Sequence, residues 1–112
     1  MRIVASAFLA AALLMGCKRS SVEIQNAANV PITNVDIQVA GNQLSIDSVA
    51  SGESHRVHYS SKAEDTLSVG FRIRGERKQC SDNSYVTTNI QDEFTVRISS
   101  DGKCAVLHKP LE

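Results

Sequence analysis

Three histidines, His55, His58 and His108, are the only imidazoles this chain offers to a metal or a proton-transfer site. His55 and His58 stand three apart in a segment with strand character, and residues so spaced on a strand point to opposite faces. They are therefore expected as partly exposed strand residues, with no metal and no cofactor. Serines and aspartates are plentiful, but no Gly-x-Ser-x-Gly elbow, Ser-x-x-Lys pair, His-Glu-x-x-His helix or glycine-rich phosphate loop occurs. Short loops and few aromatic residues leave little depth for a pocket. The expectation is a protein that is not an enzyme and has no small-molecule substrate. Arg72, Arg74, Arg77 and Lys78 form the one charge cluster with a geometry. Arg72 and Arg74 share one face of a strand, and Arg77-Lys78 begins its return. Such a cluster suits an anionic partner, whether lipid headgroups, cell-wall polymer or an acidic protein. It equally suits edge protection, because basic side chains on an exposed strand block edge-to-edge pairing.

The chain opens on Met1-Arg2, an apolar run from Ile3 to Leu14, and then Met15-Gly16-Cys17. A positive start, an apolar stretch and a small residue before a cut site make a secretory signal. The run is about 12 residues, short of the ~20 that span a bilayer. Leu14-Met15-Gly16-Cys17 resembles the lipobox of bacterial lipoproteins, with Met15 at the variable position. The resemblance implies cleavage before Cys17, removal of residues 1–16, and acylation (palmitate among the chains) of Cys17. Lys18 after the cysteine, with no Asp, resembles lipoproteins sent to the outer membrane of diderm bacteria, facing the periplasm. Residues 17–21 are then the whole tether, with a reach of at most about 17 Å. Lys18 and Arg19 would lie at the headgroups, where a basic residue gains about 1 kcal/mol against an anionic surface.

With Cys17 acylated, Cys80 and Cys104 remain, and two thiols in a small exported domain are expected to form a disulfide. The alternative, a metal or redox pair, lacks the spacing of a CxxC motif. Lys plus Arg number 12 and Asp plus Glu 12, so the mature charge is about −1 once Arg2 leaves with the signal. Nucleic acid is excluded as a partner on that balance. Tryptophan is absent, and Tyr59, Tyr85, Phe71 and Phe94 are the mature aromatics. The core must be aliphatic.

The residues after 16 read as strands. Val35-Asp36-Ile37-Gln38-Val39 alternates, then Gly41-Asn42 supplies a type II′ turn that pairs Val39 with Leu44 and Ile37 with Ile46. Leu67, Val69, Phe71 and Ile73 alternate with polar residues, and Gly75-Glu76 turns that strand so that Cys80 faces Phe71. Tyr85 to Ile90 is a weaker strand. Phe94, Val96 and Ile98 alternate, and Asp101-Gly102 predicts a type I′ hairpin. Two-residue turns then put Ala105 and Leu107 on the core face, with Cys104 outward and Cys80 inward. A disulfide forbids that combination, so Cys80 is expected in a loop over Cys80–Ser84. The predicted core is Val35, Ile37, Val39, Leu44, Ile46, Val57, Leu67, Val69, Phe71, Ile73, Phe94, Val96, Ile98 and Leu107.

Seven or eight short strands with turns every 8–12 residues predict an all-β antiparallel sandwich over residues 22–108, with 109–112 as a tail. Asn29-Val30-Pro31-Ile32-Thr33-Asn34-Val35 and Ile46 through Gly52-Glu53-Ser54 resemble the small Ig-like sandwiches of bacterial exported proteins. That resemblance implies fold and not function. The expected role is a membrane-anchored binding or structural module of the cell envelope, with an envelope protein or cell-wall polymer as partner. The alternative is an inhibitor or immunity lipoprotein that blocks a cell-wall hydrolase or toxin.

Overall fold

A computed structural model describes residues 20–63, 65–86 and 91–111, with side chains omitted at 65, 82–86, 91, 110 and 111. The segment expected to be a signal and lipobox, with Cys17 and the Lys18-Arg19 pair, lies outside the described residues. Eight strands form among those described: β1 (Ser20–Asn26), β2 (Ile32–Val39), β3 (Asn42–Val49), β4 (Ser54–Tyr59), β5 (Asp65–Ile73), β6 (Glu76–Val86), β7 (Gln91–Ile98) and β8 (Cys104–Leu111). They build two four-stranded sheets, ordered β4-β1-β7-β8 and β3-β2-β5-β6. The fold is a small β-sandwich, as expected.

Two boundaries move. β1 takes in Ser20 and Ser21, assigned above to the tether, and β8 runs through residues 109–111, assigned to a tail. One pairing also departs from the expected antiparallel pattern: β1 runs parallel to β7, with Val22 beside Phe94 and Ile24 beside Val96. A parallel pair needs a long crossover, and here the whole second sheet intervenes.

Turn chemistry sets the registers. Ala40 (φ 50°) and Gly41 (φ 81°), and likewise Arg74 (φ 51°) and Gly75 (φ 79°), are both left-handed, which is the requirement of a type I′ turn. Glycine therefore stands second in each turn, where the sequence reading put it first. Val39 pairs with Asn42 and Ile37 with Leu44, while Ile73 pairs with Glu76 and Val69 with Cys80. Each register slips by two, which keeps the same side chains on the core face. Asn42 holds its turn closed, its amide donating to the carbonyls of Val39, Ala40 and Ser60.

The β7–β8 hairpin changes parity. Ser99 N donates to Lys103 O and Gly102 N to Ser99 O, so the loop has three residues, Ser100-Asp101-Gly102, with Gly102 left-handed at φ 82°. This is the three-residue loop that ends on a left-handed residue. Asp101 stabilises it by accepting from Ser99 Oγ at 2.6 Å and Lys103 N at 3.1 Å. Those two bonds, Ser99 first, hold its carboxyl below the usual range. Ile98 now pairs with Cys104 and Val96 with Val106. Leu107, expected in the core, points to solvent at 71% exposure. Cys104 turns inward. Cys80 also faces inward, within β6 and not in a loop, and the two form the expected disulfide with Cα atoms 6.3 Å apart. Tyr85 and Val86 belong to β6, and residues 87–90 of the predicted Tyr85–Ile90 strand lie outside the described residues.

The core lies between the sheets. Phe71 and Phe94 are fully buried, as are Leu67, Val69, Val35, Ile37, Val39, Val96 and Ile98. Leu44 and Val57 are only partly buried. Val22, Ile24, Ile32 and Val49 join the core although the predicted set omits them. Asn26, 2% exposed, sits at one end with every polar atom used. Its amide donates to Val30 O and Val49 O at 2.9 Å, and its Oδ1 accepts from Ala28 N at 2.9 Å.

Candidate functional site

The sandwich has two unlike ends. β1 enters at Ser20 beside the β4–β5 loop and the Ala40-Gly41 turn, where Lys62 N and Ala63 N donate to Ala40 O. Six residues later it leaves at Asn26, about 20 Å away, among the turns β1–β2, β3–β4, β5–β6 and β7–β8. Those four turns are stitched together. Arg74 donates to Asn29 Oδ1 at 2.6 Å and to Ser100 O. Asn29 N donates to Ser100 Oγ, and Ser51 Oγ to Ala28 O at 2.6 Å. The far end is thus one braced surface.

The predicted basic cluster is divided among different tasks. Arg72 and Arg77 are cross-strand partners on the outer face of the second sheet. Arg77 reaches over Gly70 to Asp36 Oδ2 at 2.8 Å and to Asn34 O at 3.0 Å. A methyl group on Gly70 would meet Arg77 Nη2 at 2.6 Å, so the glycine makes room for that crossing. Asn34 (φ 47°) marks the irregularity where β2 shifts register against β5. Arg72 donates to Gly75 O, Arg74 braces the turns, and Lys78 faces Glu76 at 3.5 Å. The Lys78 stem lies against Gly102. All four side chains are engaged within the domain. β6 is an outer strand of its sheet, which fits the edge-protecting alternative for Arg77 and Lys78.

The histidines separate as the spacing implies. His55 pairs with Ile24 and His58 with Ser21, on opposite faces of β4. No group of three His, Cys, Asp or Glu side chains positioned for a metal occurs among the described residues. His108 belongs to a buried polar row that sequence reasoning missed. Tyr59, Ser20 and Asp92 sit on successive strands at the Ser20 end of the inner face, and Asp92 N donates to Ser20 Oγ at 3.1 Å. His108 Nε2 lies 2.6 Å from Asp92 Oδ1, its ring stacked on Phe94 at 4.5 Å between centroids. Asp92 is 3% exposed and Tyr59 4%, yet among the described residues Asp92 Oδ2 and the Tyr59 hydroxyl complete no hydrogen bond of ordinary geometry. Burial pushes the Tyr59 hydroxyl up to about 12, with Ser20 beside it acting against the rise and the Asp92 charge adding to it. Serine, aspartate and histidine thus meet here without a nucleophile–base geometry, because His108 bonds Asp92 and Ser20 bonds the Asp92 backbone. The signal was present: Asp92 continues the inward phase of Phe94, Val96 and Ile98.

On the outer face of the first sheet Arg56 bridges Glu23 at 2.6 Å and Glu93 at 2.9 Å. An exposed network of this kind contributes about 0–1 kcal/mol per pair.

A two-sheet, eight-strand sandwich with one disulfide between outer strands of different sheets is the class these observations define. No known family matches the sequence, and no curated protein resembles it. A solution structure of a protein from Eubacterium rectale is similar in fold, with a TM-score of 0.57 over 83% of this chain and 90% of that one, at 13% identity. That likeness concerns the fold alone.

Proposed function

We propose that the chain is a non-enzymatic, lipid-anchored binding module of the bacterial cell envelope, held at Cys17 and binding through the end of the sandwich remote from that anchor. The observation that carries this reading is the course of β1. Its first residue, Ser20, follows Cys17 by three positions, so an acylated Cys17 stands within about 10 Å of the sandwich. Its last residue, Asn26, opens into the four braced turns. A bilayer at the Ser20 end meets the exposed Lys62 and Lys109 together with Lys18 and Arg19, a basic set suited to anionic headgroups. The opposite end then points away from the membrane, and its bracing lowers the ordering cost of binding. Arg72, Arg74, Arg77 and Lys78 lie at or toward that far end, so their role is to hold the binding surface in shape.

The test combines labelling and crosslinking in cells. Wild type incorporates labelled palmitate and fractionates with membranes, whereas Cys17→Ser does neither. A photocrosslinking residue at Ala50, in the far turns, captures an envelope partner that one at Lys62 does not. Unlabelled wild type, or capture from Lys62 alone, overturns the proposal. Capture of one soluble hydrolase, with loss of cell protection on deletion, replaces it with the inhibitor reading.

A further inference from the structure

At the far end, between β1, the start of β4 and β7, lies an open cleft of about 320 Å³. Gln25, Ala27, Gly52, Glu53, Ser54 and Arg97 line it. Its walls are fixed by backbone bonds. Asn26 N donates to Glu53 O and Gly52 N to Asn26 O, both at 2.9 Å, and Glu53 N donates to Ala50 O at 3.0 Å. The fully bonded Asn26 side chain anchors the same segment from below. Gly52, left-handed at φ 78°, has nothing within 4 Å of the place a side chain would occupy, which leaves the rim open.

The charges in this cleft are unspent. Arg56, Arg72, Arg74 and Arg77 each donate to a protein oxygen. Arg97 makes no such bond among the described residues, and neither does the Glu53 carboxylate. The registers fix their arrangement. Gln25 is the partner of Ser54 on one side and of Arg97 on the other. Two interstrand spacings, about 10 Å, therefore separate the backbones of Arg97 and Ser54, with the Gln25 amide between. A guanidinium stands at one side, a carboxylate beside the other, and a neutral amide at the centre. Among the described residues no aromatic or large apolar side chain lines the cleft, so its selectivity rests on polar and charged groups.

A ligand complementary to this pattern carries a carboxylate, an amide and an ammonium in that order. An extended dipeptide spans about 7 Å, which fits between the two walls. We propose that the cleft is a binding site for a short peptide with free ends. The peptide carboxylate takes the Arg97 guanidinium as a bidentate pair, its amide meets Gln25, and its ammonium faces Glu53. Short loops and few aromatic residues led to the expectation of no small-molecule substrate; the cleft is shallow and open, and forms where three strands distant along the chain meet. The site is one of binding, not turnover, and does not depend on the lipid anchor.

The test uses the full chain, 15N-labelled, in detergent micelles, titrated with alanyl-alanine as the L,L and D,D forms. Saturable shifts are expected at the Ala27 and Gly52 amides and at Arg97 Nε. Arg97→Gln and Glu53→Gln each weaken binding by about tenfold or more, and Arg72→Gln leaves it unchanged. Capping the amine or amidating the carboxylate has the same effect as the matching variant. The stereoisomer preferred separates a ribosomal peptide from a cell-wall peptide as the source. Free alanine, too short to reach both walls, binds more weakly than either dipeptide. Absence of saturable shifts to about 10 mM, or saturation untouched by both variants, overturns the proposal. Should Arg97→Gln disturb the spectrum elsewhere, Arg97→Lys keeps the charge and must still weaken the dipeptide. The lipid labelling of Cys17 is read separately, so either result stands without the other.

Discussion

Replacing His108 with Phe isolates the electrostatic cost of the buried Asp92. The substitution keeps a ring stacked on Phe94 but removes the 2.6 Å contact to Asp92 Oδ1. Asp92 already has its Oδ2 without a partner among the described residues and a side chain 4% exposed. With both oxygens orphaned, the carboxylate must be buried alone or protonated. Breaking a buried pair from one side costs about 3–5 kcal/mol, and loss of the ring contact is excluded by the choice of Phe. His108→Phe is therefore expected to lose about 3 kcal/mol, a large share of the 5–15 kcal/mol typical of a domain. Asp92→Leu combined with His108→Phe removes both polar partners and is expected to return to within about 1 kcal/mol of wild type, since an apolar replacement of a buried pair is often neutral. Urea denaturation at neutral pH measures all three proteins. A loss below about 1 kcal/mol for His108→Phe, or additive losses in the double variant, refutes the argument.

Reduction of Cys80–Cys104, or its replacement by two alanines, releases a loop of sequence separation 24 and should cost about 3.5 kcal/mol by chain entropy; equal urea midpoints with and without reductant would contradict it. Leu107→Lys should change stability by less than about 0.5 kcal/mol and Val106→Lys by about 1–3 kcal/mol, a contrast that inverts if the sequence-based register of β8 is right. Tyr59 has a folded value of about 12 against 10.0 unfolded, so the unfolded chain loses that proton first and stability falls as pH rises between the two. The loss relative to Tyr59→Phe should approach about 2–3 kcal/mol at the top of the window, and a constant difference in urea midpoint across it would dismiss the buried hydroxyl as its source.

The alternation of Leu67, Val69, Phe71 and Ile73 and of Phe94, Val96 and Ile98 was legible because each strand buries one face, and a period of two reports that directly. The hairpin registers of β2–β3 and β5–β6 were misplaced by two residues without moving a side chain to the wrong face. Leu107 was misread because Asp101-Gly102 fits both a two-residue and a three-residue loop, and the choice between them flips every residue of β8. The apparent conflict between Cys80 and Cys104 was itself the missing information: a bond between the sheets demands that both face inward, which selects the three-residue loop. The parallel neighbours β1 and β7, and hence the cleft between Gln25, Ser54 and Arg97, were not legible. Nothing local distinguishes the partners of a strand that pairs across most of the chain. The separate tasks of Arg74 and Arg77 were hidden for a related reason, since their acceptors Asn29, Ser100, Asn34 and Asp36 are remote in sequence.

The place of β1 between β4 and β7 also decides how the domain answers to a pull. A chain held at its amino end and gripped by a partner at the opposite tip carries tension along the axis of β1. Both ladders flanking that strand, antiparallel to β4 and parallel to β7, are then loaded in shear, so their hydrogen bonds resist together instead of opening one after another like a zipper. The amino-terminal strand of such a chain serves as a mechanical clamp, and slack in the leash is taken up before any core residue moves.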